Sequence, residues 1–288
     1  MLTIVKEKNT MNKLLNQLIQ LQDLNFTLAE QQALLEDTCL IELEDSIKAL
    51  SKNLPRNILQ LFETLHTRYA TAVVPVTGGI CSGCGVTLPT SLAYEVHATK
   101  EIMQCPRCTR IIYAGESSSR QLKRIARPSE KPTAGIVRFS SSQLMIPNLE
   151  AKTREESLSE LIGIMASEGF IENPESLLSA ALNREAIVPT AVEHGLAFPH
   201  VRGVEGGGLI FSLGMKKHGI KFGAPRDRLT RIIFFIVIPF AASAFYLQLI
   251  AGLMETFRET ESRDKLLDSS TPEEMWKALT TLTKKTIK

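Results

Sequence analysis

Four cysteines arranged as two Cys-x-x-Cys pairs restrict the fold of this 288-residue chain more than any other feature. The first pair is Cys81 and Cys84, the second is Cys105 and Cys108, and twenty residues separate the pairs. Each pair forms a tight turn that directs two sulfurs at one ion, and together they complete a tetrahedral thiolate site, for which zinc is the usual occupant. Iron in a rubredoxin-like site has the same four ligands, and the spacing does not distinguish the two metals.

The alternative interpretation of these cysteines is a pair of disulfide bonds, which requires an oxidising compartment. The N-terminus lacks a basic start followed by an apolar core and a cleavage site, so it does not resemble a signal peptide. We therefore expect a cytoplasmic protein with a metal site. The metal is predicted to be structural, because four protein thiolates leave no open position for a catalytic water. The fifth cysteine, Cys39, is interpreted as a buried apolar side chain.

Apolar side chains at heptad spacing predict a helical hairpin, or coiled coil, over residues 1–74. The first stripe comprises Leu14, Leu18, Leu21, Leu28 and Leu35, and the second comprises Leu43, Ile47, Leu50 and Leu54. Two antiparallel helices folded on each other would bury both stripes. Pro55 is expected to break or kink the second helix, because proline has no amide hydrogen and clashes with the preceding turn. Such a hairpin serves as a spacer or as a surface for homo-oligomerisation.

The hairpin and the cysteine pairs, with Val73-Val74-Pro75-Val76 and Arg110-Ile111-Ile112-Tyr113, resemble the bacterial coiled-coil zinc-ribbon family. The resemblance implies a zinc ribbon over residues 75–115 that acts as an interaction module for nucleic acid or protein, without catalysis. Thr109 is a departure, because ribbons often place glycine at this position to allow a left-handed turn.

The distribution of charge limits where nucleic acid could bind. The formal net charge of +2 is too close to balance for binding by the whole chain. Residues 116–135 instead form a predicted flexible linker, which includes a local group of basic side chains among serines and prolines. These basic residues are Arg120, Lys123, Arg124, Arg127 and Lys131. Contact with nucleic acid is therefore expected only through the linker and the ribbon.

The remaining chain, residues 136–288, has alternating strand-like and helix-like patterns that predict an α/β domain. Ile136-Val137-Arg138-Phe139 is predicted as its first strand and Thr153–Ser167 as its first helix. Residues 232–254 carry no charged side chain and are long enough to span a bilayer. They begin with β-branched and aromatic residues and are interrupted by Pro239, so we predict a buried strand followed by a helix, without membrane insertion. Phe245, Leu249 and Leu253 mark the expected buried face of that helix.

The segment Glu193–Arg202 places His200 after Pro199 and before a cation, Arg202, so that an exposed histidine is expected. Neutral imidazole is a good nucleophile near pH 7, and a phosphorylated ring nitrogen remains reactive enough to pass the group on. Arg202 is suited to pair with the phosphoryl dianion, and Gly195 is expected to let the backbone approach it.

From about Leu144 to Ala278 the chain resembles the enzyme IIA domain of the fructose/mannitol type of the phosphoenolpyruvate-dependent sugar phosphotransferase system, including its nitrogen-regulatory paralogues. The resemblance rests on Asn183-Arg184-Glu185, the glycine-apolar-proline-histidine segment, Gly219-Ile220-Lys221-Phe222, the strand ending at Pro239 and a leucine-rich helix. It implies a mixed sheet flanked by helices. It also implies that the histidine after the proline takes a phosphoryl group from the carrier HPr, and that an upstream arginine helps to hold it. His200 and Arg184 match these two positions.

One position departs from the family pattern. The family usually carries a second histidine at the start of the helix after the apolar strand, where this chain has Tyr246. A phenol can donate a hydrogen bond to a phosphoryl oxygen, but it stays neutral near pH 7 and cannot supply the charge of an imidazolium. We therefore expect phosphorylation of His200 with less efficient onward transfer.

Other candidate groups have no recognisable site around them. His194 precedes His200 by six residues without a third ligand at a useful spacing, and His218 suits a turn between strands. Gly206-Gly207-Gly208 lacks the lysine and hydroxyl residue of a phosphate-binding loop and is predicted to be a hairpin turn.

Together these patterns predict a phosphohistidine carrier, that is, a phosphotransferase component with a transport-coupled or regulatory role. Its predicted partners are an HPr-like phosphocarrier protein and a permease or regulatory target. The alternative is a regulator or scaffold that no longer transfers phosphoryl groups and binds nucleic acid or protein through the zinc-ribbon hairpin.

Overall fold

A computed structural model describes residues 2–34, 41–98, 101–115, 135–187, 189–204, 208–224, 228–239 and 243–287. The chain divides into two units, residues 1–117 and 118–288. Cys39, the basic residues of the predicted linker, and Gly206 and Gly207 lie outside the described residues.

The first unit begins with three helices: α1 (Leu2–Leu34), α2 (Ile41–Lys52) and α3 (Arg56–Arg68). Helix α1 packs against α2, and Leu18 and Leu21 of the first predicted stripe are buried. Pro55 occupies the N-cap position of α3, so the predicted break in the second helix is confirmed. The helical N-terminal region is therefore confirmed, whereas a coiled-coil geometry stays a prediction.

The ribbon follows as a small four-stranded sheet with one helix. Its elements are β1 (Val73–Thr77), β2 (Ile80–Cys81), α4 (Thr90–Ala98), β3 (Met103–Gln104) and β4 (Ile111–Ala114). The strand order is β2-β1-β4-β3, with β1 and β4 parallel. Val73 and Ile111 share one core with the helices, and the Gln22 amide both donates to and accepts from the Val73 backbone, at 3.0 and 2.7 Å. The ribbon and the helices of this unit are thus packed together.

The second unit is built on a five-stranded sheet. Its strands are β5 (Met145–Ile146), β6 (Leu196–Ala197), β7 (His200–Val204), β8 (Ile210–Ile220) and β9 (Thr230–Pro239). The order is β5-β8-β9-β6, with β7 also paired to β9. Strands β8 and β9 are antiparallel and the other pairs are parallel, so the predicted mixed sheet is confirmed.

The second unit also contains α-helices. They are α5 (Arg154–Ser167), α6 (Pro174–Ile187), α7 (Ser243–Arg258), α8 (Thr260–Leu267) and α9 (Pro272–Leu282). Helix α5 contacts β8, α7 contacts β9 and α9 contacts β5. The predicted helix after Thr153 is confirmed, and the Thr153 side chain caps it by accepting the Glu156 backbone N–H at 3.2 Å.

The apolar run is a strand followed by a helix, as predicted. Every residue from Ile232 to Pro239 in β9 is buried. None of the described helices is long and apolar enough to cross a membrane. Within α7, Leu249 and Leu253 are buried, but Phe245 is exposed, so its predicted place on the buried face is wrong. Tyr246, the next residue, takes that place.

Two local predictions are wrong. Residues 136–138 form a 3-10 turn instead of a strand, because burial of Ile136 and Phe139 in this turn satisfies the apolar pattern without strand pairing. His218 lies inside β8 instead of in a turn between strands, since β8 continues to Ile220 across a register shift after Met215.

Candidate functional site

The four cysteines of the first unit converge on one point. All four Sγ atoms lie within 4.8 Å of one another, with Cys81 and Cys108 3.9 Å apart and Cys84 and Cys105 3.7 Å apart. A tetrahedral zinc ion with Zn–S bonds of about 2.3 Å holds its sulfurs about 3.8 Å from one another. The spacing of the thiols therefore fits a structural zinc ion.

Local backbone geometry explains how each cysteine pair presents its sulfurs. The Gly85 N–H donates to the Cys81 carbonyl at 2.8 Å, and the Thr109 N–H donates to the Cys105 carbonyl at 2.9 Å. Both turns end in a left-handed residue, with φ of 72° at Gly85 and 60° at Thr109. Thr109 thus adopts the conformation that ribbons usually give to glycine, at a steric cost that a β-branched residue must bear.

Burial raises the pKa of the Cys81 and Cys108 thiols, because it makes their thiolate forms costly in the absence of positive charge. It raises the pKa of the Cys81 thiol to about 12, because a thiolate loses its hydration there. A bound divalent cation supplies the charge that keeps such ligands ionised.

In the second unit, His200 begins β7 and lies beside β9, opposite Ile236. The Ile236 N–H donates to the Pro199 carbonyl at 2.9 Å, which anchors the chain just before the histidine. His200 is only 1% exposed, and Tyr246 of α7 is fully buried next to it. The expectation of an exposed histidine is therefore wrong, because α7 brings a large side chain over the ring.

Two oxygens lie close to Nδ1 of His200. The Phe198 carbonyl oxygen is 3.1 Å away and the Tyr246 hydroxyl oxygen is 3.0 Å away. A carbonyl oxygen only accepts hydrogen bonds, so this contact favours the tautomer with the proton on Nδ1. In that tautomer Nε2 carries the lone pair that a nucleophile needs.

The structure places the two arginines differently. Arg202 follows His200 by two residues in β7, so both side chains leave the same face of the strand. Arg184 lies in the last turn of α6 and is half-buried. The structure thus brings Tyr246 into contact with His200, while the roles of Arg184 and Arg202 in holding a phosphoryl group stay predictions.

Sequence reasoning missed a buried carboxylate, Glu185, that is linked to the histidine. Glu185 is 1% exposed, accepts the Thr190 N–H at 3.2 Å, and also accepts the Thr190 hydroxyl. The Thr190 carbonyl accepts the Phe198 N–H at 3.2 Å, and the Phe198 carbonyl contacts His200. Hydrogen bonds therefore connect α6 to the imidazole. Helical spacing could have predicted the burial of Glu185, since this residue continues the series of buried positions Leu177 and Ala181 in α6.

Replacing Glu185 with glutamine should change how stability depends on pH. Burial raises the pKa of Glu185 above its ordinary value of 4.5, although the Thr190 hydrogen bonds and the charges of Arg184 and Arg154 oppose the shift. The folded state then holds the proton more tightly than the unfolded state, so native stability falls as pH rises from about 4.5 through the folded pKa. The Glu185→Gln variant lacks this loss of stability, because its side-chain amide does not titrate. We therefore expect the melting temperature of Glu185→Gln to rise relative to that of the native chain as the pH increases across that range. The measurement is thermal unfolding of both proteins at each pH.

The matched control for this experiment is Glu175→Gln, which changes an exposed carboxylate on the same helix. Its melting temperature should stay close to that of the native chain, because the substitution of an exposed side chain removes few contacts. A constant difference between Glu185→Gln and the native chain would contradict a raised pKa at Glu185.

The other candidate residues do not form a second site. Gly195 has φ of 74° and is buried, and a Cβ there would lie 3.3 Å from the Leu229 carbonyl oxygen. The residue therefore permits close approach to the neighbouring backbone, which is a different role from the expected approach to an anion. His194 and His218 are exposed.

Two family models match the chain. Residues 138–281 match the family described as phosphoenolpyruvate-dependent sugar phosphotransferase system, EIIA 2. Residues 80–112 match a C4-type zinc ribbon domain. The first match confirms the predicted resemblance to the enzyme IIA family, and the second confirms the predicted zinc ribbon, whereas the coiled coil stays a prediction.

Several curated proteins are similar over part of the chain. The PTS system fructose-specific EIIA component of Haloferax volcanii is 26% identical over 117 residues, which are 41% of this chain and 76% of that protein. The PTS system fructose-specific EIIABC component of Bacillus subtilis is 23% identical over 42% of this chain and 19% of its own length. The PTS system 2-O-alpha-mannosyl-D-glycerate-specific EIIABC component of Escherichia coli is 26% identical over 46% of this chain. The chain spans about a fifth of the length of these last two relatives.

Solved structures are also similar over about half of the chain. Nitrogen regulatory protein IIA-Ntr from Neisseria meningitidis has a TM-score of 0.45 at 19% identity, covering 49% of this chain and 97% of that one. IIA mannitol from Escherichia coli has a TM-score of 0.41 at 22% identity, covering 48% of this chain and 97% of that one.

Proposed function

Because the chain belongs to the phosphoenolpyruvate-dependent sugar phosphotransferase system EIIA 2 family, we propose that it is a phosphohistidine carrier that takes up a phosphoryl group on Nε2 of His200. The observation that carries this proposal is the contact between Nδ1 of His200 and the Phe198 carbonyl. It favours a proton on Nδ1 and a lone pair on Nε2, which is the protonation state of a nucleophilic imidazole.

In the proposed reaction, Nε2 attacks the phosphorus of a phosphohistidine on an HPr-like carrier. A new N–P bond forms as the donor's N–P bond breaks, and the donor imidazole leaves with the electron pair. Catalysis then depends on positioning and on stabilisation of the phosphoryl charge. We assign the charge stabilisation to Arg184 and Arg202, and the approach of the ring to Pro199.

The burial of His200 adds a step to this reaction. A ring that is 1% exposed cannot meet a protein-bound phosphoryl group unless the groups that cover it move. We therefore propose that the donor engages a locally opened form of the site, in which the ring of Tyr246 moves away from the imidazole while its hydroxyl keeps the contact with Nδ1. Such openings are common in enzymes that separate a reactive centre from water.

The partners and organisation are proposed at a coarser level. We propose a hairpin over residues 1–74, a ribbon over 75–115, a basic linker over 116–135 and a phosphocarrier domain over 136–288, all in the cytoplasm. The donor is an HPr-like protein and the recipient is a permease component or a regulatory target. The hairpin is proposed as a surface for self-association. The ribbon and linker are proposed to bind protein or nucleic acid, and nucleic-acid binding would weaken steeply with rising salt.

The test of the function is phosphorylation of the complete chain by phosphoenolpyruvate, enzyme I and HPr, followed by intact-mass analysis. We expect one acid-labile phosphoryl adduct per chain, formed only when all three components are present. A folded chain that acquires no adduct would refute the proposed function and leave the non-transferring regulator as the better interpretation.

Replacing Tyr246 with histidine should speed the return of the phosphoryl group from His200 to HPr. The tyrosine hydroxyl lies 3.0 Å from Nδ1 of His200 but is neutral, whereas an imidazolium would stabilise the charge that develops during transfer. A gain of about tenfold corresponds to about 1.4 kcal/mol of transition-state stabilisation. The measurement is a quenched time course of phosphoryl loss from the chain after mixing with unphosphorylated HPr.

The companion variant Tyr246→Phe separates the hydroxyl from the packing of the ring. It keeps the aromatic side chain and should slow transfer by about fivefold, the equivalent of one ordinary hydrogen bond. Rates for Tyr246→His equal to the native rate would show that this position does not limit transfer.

A further inference from the structure

A buried cation adjoins the metal site of the first unit. Arg110 follows Cys108 by two residues, just before β4, and is only 9% exposed. Among the residues that the structure describes, no carboxylate forms an ion pair with Arg110. A guanidinium that is removed from water without a counter-charge is costly, so its presence needs an explanation in its surroundings.

Arg110 contacts both cysteine turns. Its Nη1 donates to the Gly83 carbonyl of the first turn at 2.5 Å. Its backbone carbonyl accepts the Cys105 N–H of the second turn at 2.9 Å, and its backbone N–H donates to the Cys108 sulfur. One residue thus joins the two halves of the site.

Two neighbours fix the guanidinium in this position. Its central carbon lies 3.9 Å from the centroid of the Tyr69 ring, which holds the planar group by a cation–π contact. Gly83 is the second neighbour, since a Cβ at this position would lie 2.5 Å from Nη1 and 3.0 Å from Cδ of Arg110. A side chain at residue 83 would therefore displace the guanidinium from this position.

The metal site itself offers Arg110 a counter-charge. Four thiolates carry more negative charge than one divalent cation neutralises, so the loaded cluster is an anion. We propose that Arg110 is the positioning and charge-compensating residue of this metal site, clamping the first cysteine turn to the second and offsetting the negative charge of the cluster. This role is independent of the phosphoryl chemistry proposed for the second unit.

The experiment compares metal release from the complete, zinc-loaded chain and its variants. The rate of zinc transfer to the chromophoric chelator 4-(2-pyridylazo)resorcinol is measured by absorbance, with the starting zinc content fixed by elemental analysis. Residues next to metal ligands typically change affinity about 10- to 100-fold when they are altered. We expect Arg110→Met to release zinc at least about tenfold faster than the native chain.

Arg107→Met is the matched control. Arg107 lies inside the second cysteine pair and is exposed, so the change removes the same charge from the same ribbon without touching the clamp. Its release rate should equal the native rate. Equal rates for Arg110→Met and Arg107→Met would overturn the proposal.

Two further variants separate the charge from the geometry. Arg110→Lys keeps the charge but lacks the planar fork, so its release rate should lie between the native rate and that of Arg110→Met. Gly83→Ala keeps every charge but displaces the guanidinium, so release should be faster than in the native chain. A lysine variant that behaves like the methionine variant would refute charge compensation.

A cobalt-loaded sample distinguishes faster metal release from a folded site from simple unfolding of the variant. Arg110→Met loaded with Co²⁺ should keep the absorption spectrum of a tetrahedral four-thiolate site while giving up the metal faster than the native chain. Loss of that spectrum at saturating Co²⁺ would mean that the variant no longer forms the site, and Arg110 would then be a folding residue instead of a compensating one.

Discussion

Replacing His200 with glutamine should abolish phosphoryl uptake from HPr completely. His200 is the residue whose ring is held through Nδ1 by the Phe198 carbonyl and the Tyr246 hydroxyl, and an amide has no lone pair of comparable nucleophilicity. Glutamine is preferred to alanine because it keeps hydrogen-bonding atoms in a position that is 1% exposed. The measurement is intact mass after incubation with phosphoenolpyruvate, enzyme I and HPr, together with circular dichroism to verify folding.

The control for this prediction is His194→Gln, six residues earlier, where the side chain is exposed. That variant should acquire the same acid-labile adduct as the native chain at the same rate. An adduct on His200→Gln, or its loss on His194→Gln, would contradict the assignment of His200 as acceptor. The comparison also separates acceptor chemistry from general damage to the segment that both histidines share.

Replacing Cys108 with serine should remove the metal and unfold the ribbon. The four thiols lie within 4.8 Å of one another, so the loss of one leaves three ligands for an ion that requires four. Structural zinc sites contribute on the order of 10 kcal/mol to folding in small domains, so loss of the ion removes a large part of the stability of the ribbon. Elemental analysis should give less than one zinc per chain, and hydrogen exchange in residues 73–114 should lose its protection.

Cys39→Ser is the matched control, because the same chemical change then falls on a cysteine that belongs to neither Cys-x-x-Cys pair. It should keep the metal and the protection of the ribbon. A native chain purified in a folded state with oxidised Cys81, Cys84, Cys105 and Cys108 would contradict the metal site. A zinc content in Cys108→Ser equal to that of the native chain would also contradict the metal site.

The structure changes what the proposed phosphoryl site must do. A histidine covered by Tyr246 cannot act as a simple exposed acceptor, so the proposed transfer cycle must include an opening step. Tyr246 stands where the family usually has a second histidine, and this difference has two consequences. Tyrosine at this position replaces a group that can carry charge with a neutral one. It also places a fully buried aromatic ring against the imidazole of His200, with ring centroids 5.0 Å apart.

The sequence by itself determined the features that depend on local pattern and chemistry. The spacing of the cysteine pairs predicted the metal site, Pro55 predicted the break before α3, and Thr153 predicted the start of α5. The β-branched run predicted β9. These features follow from residues that are close in the chain, where dihedral preferences, missing donors and side-chain periodicity act directly.

Only the tertiary structure decided which distant residues meet. Tyr246 contacts His200 across 46 positions, Arg110 contacts Gly83 across 27, and Ser212 donates to the Leu161 carbonyl across 51. The same applies to the burial of Glu185 and to the turn at Ile136, whose apolar neighbours suited a strand equally well. The physical reason is that burial and hydrogen-bond partners are set by the packing of whole elements, whereas a local pattern constrains only the element in which it lies.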